Sequence, residues 1–101
     1  MGNISSISVA ATGVRVTTTI NTSSGSTIPN NSTGTKPKYV SVTSTGTCYV
    51  RFGVGAQTAV TTDKMVTLGA PFIFAVHGND NYAVIDDGVS VKVSICPLED
   101  L

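Results

Sequence analysis

Apolar residues recur at every second position along much of this chain, the spacing of a strand with one buried face. Val14 and Val16 alternate with Arg15 and Thr17, and Ile20 keeps the same parity beyond Thr19. Val40 and Val42 alternate with Tyr39, Ser41 and Thr43. Val89, Val91, Val93 and Ile95 form the clearest stripe of all. Residues 71–76 and 82–85 are almost continuously apolar, which predicts strands covered on both faces. No stretch repeats apolar residues at the three-and-four spacing of an amphipathic helix.

Turn-forming residues punctuate these runs. Ser44-Thr45-Gly46-Thr47 predicts a tight hairpin joining residues 38–43 to residues 48–54. Gly69-Ala70-Pro71 separates residues 65–68 from the next strand. Gly78-Asn79-Asp80-Asn81 and Asp86-Asp87-Gly88 supply the positive φ angles that sharp turns need. The expected fold is all-β, an antiparallel β-sandwich or jelly roll of about eight strands.

Residues 21–37 break this rhythm, being polar and nearly free of apolar side chains. Such a composition cannot bury a core, and Pro29 and Pro37 favour extended chain. The segment is expected to be an arm that orders along a partner, with a surface loop as the alternative. On that reading residues 1–37 are an N-terminal strand pair plus arm, and residues 38–101 are the sandwich body of one compact domain. Candidate partner contacts on the N-terminal part are Ile4, Ile7, Val9, Asn21, Ile28, Pro29 and Asn30. On the expected hairpin they are Tyr39, Tyr49 and Arg51.

Charge narrows the partners. Six basic and six acidic residues cancel, and only 12% of the chain is charged. The cations Arg15, Lys36, Lys38, Arg51, Lys64 and Lys92 are scattered, without the basic stripe and aromatics of a nucleic-acid binder. About a quarter of the chain is serine or threonine, and a charge-poor surface of this kind defends poorly against self-association. A domain of this size also buries a thin core, so a homo-oligomer (dimer or trimer) or a larger partner would add burial. No apolar run approaches the roughly 18 to 20 residues needed to cross a bilayer. The first residues show neither the basic nor the apolar region of a secretory signal. Gly2 and Ser6 fit a myristoylation pattern, but no polybasic patch supplies a second membrane signal.

Candidate chemistry is sparse. Cys48 shares parity with Val50 and Phe52 on the expected core side, whereas Cys96 shares it with Lys92 and Ser94. Two thiols on opposite faces are expected to stay free. His77 ends an apolar strand with only Asp80 near in sequence, too little for a general base and nucleophile. One histidine and two distant cysteines match no zinc spacing. Asp80 and the Asp86-Asp87 pair lack the spaced ligands of a calcium loop and suit capping of turn amides. A glycosidase pair is improbable with Glu99 as the single glutamate. Gly53-Val54-Gly55 lacks a phosphate-loop pattern. The expectation is no enzyme, no cofactor, no metal and no small-molecule substrate.

Residues 38–97 resemble a group of small tailed-bacteriophage proteins that decorate or cement the capsid. The likeness rests on a valine strand, Val40 and Val42, a turn at Gly46, and a strand ending in Val50-Arg51-Phe52-Gly53. A turn at Leu68-Gly69 follows, then Ala83-Val84-Ile85 and a closing alternating strand with Val91 and Val93. Residues 1–37 depart from that pattern. The resemblance implies a structural virion protein on the outer capsid surface, made in the host bacterial cytoplasm. Its partner would be the major capsid protein, whose neighbouring subunits it would clamp against internal DNA pressure. Two other roles compete: a head-completion, tail or fibre-base protein, or a carbohydrate-binding module using Tyr39 and Tyr49 as a small platform.

Overall fold

The computed structural model describes residues 8–9, 13–32, 34–68 and 71–99, all strand, turn or extended chain, with no helix among them. The strands are β1 (Ser8–Val9), β2 (Val14–Thr17), β3 (Ser24–Thr27), β4 (Tyr39–Ser44) and β5 (Cys48–Gly53). They continue with β6 (Lys64–Val66), β7 (Phe72–Ala75), β8 (Asn81–Asp86) and β9 (Lys92–Glu99). The alternation of valine with hydroxyl residues becomes strand because β-branched side chains fit a pleated, half-buried surface.

Pairing follows one rule. β2 pairs with β9, β3 with β8, β4 with β7 and β5 with β6, every pair antiparallel. These are successive rungs of a single long hairpin whose tip is the β5–β6 connection. Alternate rungs fall in different sheets, and the ladders β4–β9 and β5–β8 join them side to side. One sheet runs β1-β9-β4-β7 with β2 also on β9, and the other runs β3-β8-β5-β6. The molecule is an antiparallel β-sandwich.

β9 is the spine of the first sheet. β2 covers residues 92–95 and β1 covers Leu98 and Glu99, on the side away from β4. Pro97, in the same strand, has no N–H to offer a ladder.

The core lies between the sheets. Val40, Val42, Val93 and Ile95 face Cys48, Val50, Val66, Tyr82 and Val84, all nearly or fully buried. Phe52 and Phe74 meet across the gap at 5.5 Å between ring centroids, and Phe72 stacks beside Phe74. Each fully buried valine contributes roughly 1.5 to 3 kcal/mol relative to exposure.

Four sequence expectations differ from this structure. The turn at 44–47 is not a hairpin: β4 and β5 lie in opposite sheets, and the turn carries the chain across the core. Crossing lets both valine faces bury against each other, while β9 and β8 supply the ladder partners. Gly46 permits the crossing, since a Cβ there would sit 2.7 Å from Val91 Cγ1. Secondly, residues 21–37 are no detached arm. Ser24–Thr27 pairs with β8, Ile28 is fully buried, and its N–H bonds to Asp80 O at 2.9 Å. Thirdly, β7 is covered on one face alone, with Ile73 exposed on the other. Lastly, Val89 falls outside β9 and is exposed, so the stripe begins at Val91. β8 is covered on both faces as expected: Ala83, on the outer side, is fully buried. The β5–β6 connection reaches over that face, where the Ala59 N–H bonds to Ser23 Oγ at 2.8 Å.

Candidate interaction surface

The ten candidate contacts scatter. Ile4 and Ile7 lie outside the described residues, and Val9 belongs to β1, paired with Leu98. Asn21 is held at φ 57° while its N–H donates to Asp86 Oδ1 at 2.9 Å, so it shapes the β2–β3 crossing. Ile28 is a correction: its side chain is spent in the core and is closed to any partner in this conformation. Pro29 is half-buried, leaving Asn30 exposed beside it.

Tyr39 and Tyr49 do not share a platform. Tyr39 sits on the outer face of the first sheet, half exposed at 51%. Tyr49 sits on the outer face of the second, flanked across the ladder by Met65 and Ile85, and is largely buried. Its hydroxyl donates to Asp87 Oδ1 at 3.1 Å, and burial followed by that carboxylate raises the phenol pKa. Arg51 stands in the same face, but its Nε and Nη2 both donate to Asp63 Oδ1. That guanidinium is already engaged. Because the chain crosses between sheets at 44–47, residues neighbouring in sequence are placed on opposite outer surfaces.

The structure leaves a different set exposed, along one side of the sandwich. β6 and β7 are the end strands of their sheets, consecutive in the chain, and so border one side of the sandwich. Met65 on β6, Leu68 just after it and Ile73 on β7 are 52%, 70% and 55% exposed. Ile73 lies opposite Ser41, diagonal to Tyr39, within reach of an aromatic ring. β7 reads Phe72-Ile73-Phe74-Ala75, with no charge along it. Edge strands usually carry a lysine, a proline or a bulge to block pairing with another chain. Nothing in the sequence singled out Ile73, because being at an edge is a property of the assembled sheet.

The polar groups serve turns. Asp86 is fully buried and accepts from Thr18 Oγ1, Asn21 N and Gly88 N. The Asn21 N–H foremost holds its carboxyl below the usual range. Asp80 accepts from Asn81 Nδ2 and Gly55 N, which lower its pKa likewise. Backbone amides at turns thus supply part of the partners of both carboxylates, with the Thr18 hydroxyl and the Asn81 side-chain amide supplying the rest. Cys48 and Cys96 are free, Cys48 facing the core with its thiol pKa raised by burial. No group of three or more His, Cys, Asp or Glu suited to a metal occurs among the described residues. No family model, curated protein or solved structure matches this chain.

Proposed function

We propose that this chain is a structural virion protein that binds the outer surface of a phage capsid and joins neighbouring subunits of the major capsid protein. The observation that carries this reading is the uncharged edge strand β7, with Ile73 and Tyr39 exposed beside it. An edge of this kind can accept a strand from a neighbour, whose backbone would complete the ladder while Ile73 packs against it. Repetition over a symmetric shell would then give useful occupancy from a weak individual contact. The strand order β2-β9-β4-β7 over β3-β8-β5-β6 is the order that a long hairpin rolled into two Greek keys produces, and we read the sandwich as a jelly roll. Contact through a detached N-terminal arm is dropped from the proposal, because β2 and β3 are built into the body.

Mass spectrometry of purified particles tests the reading. A copy number approaching that of the major capsid protein supports it. A small copy number set by a portal or tail would favour a head-completion, tail or fibre-base protein. Absence from particles would end the virion reading. Ile73→Lys places a charge on the edge and is expected to lower particle occupancy severalfold while leaving the fold unchanged.

A further inference from the structure

The outer face of the first sheet carries a polar depression of about 320 Å³ lined by Arg15, Thr43, Ser44, Thr45, Lys92 and Ser94. Its floor is built by register. Arg15, Ser94 and Thr43 stand opposite one another across β2, β9 and β4. In the next row Thr17 pairs with Lys92, and Thr45 continues it, its N–H bonding to Lys92 O and its Oγ1 accepting from Lys92 N. Arg15 and Lys92 are therefore diagonal neighbours, ~7 Å apart at the backbone.

Among the described residues, neither cation has a carboxylate partner. The ion pair found among the described residues is Arg51–Asp63, on the other sheet. Asp87, on the far side of Thr45, accepts the Tyr49 hydroxyl. Glu99 ends β9, seven residues from Lys92 and so ~23 Å along the strand. Two like charges held side by side repel, and an anion between them relieves that repulsion.

We infer that this depression binds a carboxylate of an acidic peptide segment on a partner protein. The Arg15 fork matches a planar carboxylate in two parallel hydrogen bonds, Lys92 adds a point charge, and the Thr43 hydroxyl adds a donor. Two cations with no aromatic ring in the lining are a poor match for a nucleic-acid strand, which needs a longer basic track and stacking. The inference stands apart from the capsid reading, since it rests on the outer face and not on the β7 edge. Affinity for one such contact is expected to be weak, about 1 mM.

The test is an amide NMR titration of the whole chain with blocked tetraglutamate, blocked tetraglutamine and inorganic phosphate. Tetraglutamate is expected to shift the Thr43, Ser94 and Lys92 amides saturably, tetraglutamine is not, and added salt should weaken the response. The double variant Arg15→Ala, Lys92→Ala changes two exposed side chains and should bind about tenfold or more weakly. Arg15→Gln, Lys92→Gln is the second variant should the first lose its native spectrum, with the same result expected. Phosphate binding as tightly as tetraglutamate would overturn the assignment to an acidic peptide. Peptide binding that survives both variants would overturn the site.

Discussion

The Thr18 hydroxyl donates to Asp86 Oδ2 at 2.8 Å across 68 residues of chain. Thr18 lies where the chain leaves β2 for the second sheet, and Asp86 ends β8 where it returns to the first. The Thr18 N–H also donates to Val91 O at 2.9 Å, and its Oγ1 accepts from the Val91 N–H. The first and last crossings of the sandwich are thereby fastened to each other by one buried polar network.

Removing the carboxylate should show how much of the fold depends on that fastening. Asp86→Ala leaves the buried Thr18 hydroxyl and the partly buried Asn21 N–H without their acceptor. A loss of about 3 kcal/mol is expected from urea unfolding. Against a total of roughly 5 to 15 kcal/mol for a domain, this would lower the midpoint visibly.

Acid should act through the same group. The folded carboxyls of Asp86 and Asp80 lie below their unfolded values, so the native state binds fewer protons than the unfolded one. Their contribution is full above the unfolded pKa of about 3.9 and is lost as pH falls through the folded values. Urea midpoints should stay level from neutral pH to mildly acidic pH and then drop. Asp86→Asn should make that drop shallower.

Gly46 should resist even one methyl group. A Cβ at 2.7 Å from Val91 Cγ1 forces the crossing turn or the β9 end to shift. Gly46→Ala is expected to cost about 1 to 3 kcal/mol, read from the thermal midpoint. If the turn were the tip of a simple hairpin, the change would be nearly neutral.

The Arg51–Asp63 pair should matter less than its geometry suggests. The Arg51 side chain is 42% exposed, so Arg51→Ala is expected to change stability by about 0.5 kcal/mol. Asp63 also accepts the Val60 N–H at 2.8 Å, closing the turn before β6. Asp63→Ala should therefore cost more than Arg51→Ala, and a double-mutant cycle would separate the two contributions.

The thiols offer a check on which faces are inside. Cys96 should react with a thiol reagent in the native protein well before the buried Cys48. Equal rates would contradict the inward orientation of β5.

Much of the fold was legible in the chain because burial on one face of a strand imposes a period of two. Val40, Val42, Val93 and Ile95 announce their inward direction without any neighbour being known. The same parity separated Cys48 from Cys96 and marked them as unbridged. The bonds of Asp86 to Gly88 N and of Asp80 to Asn81 Nδ2 were legible because they are local, whereas those to Thr18, Asn21 and Gly55 were not.

Parity says which way a side chain points, but not which sheet its strand joins. The Ser44–Thr47 turn is compatible with a hairpin or with a crossing. Only the competition for β8 and β9 as ladder partners decides between them. That choice moved Tyr39 and Tyr49 to opposite surfaces, drew Ile28 into the core and left β7 as the end strand of its sheet among the described residues. It also set Arg15 beside Lys92, residues far apart in the chain and joined only by the register of β2 on β9. Outside β3, strand identity was determined by the sequence itself, through local periodicity and turn chemistry. The surfaces were decided by tertiary structure, because backbone pairing between distant strands fixes which exposed side chains become neighbours.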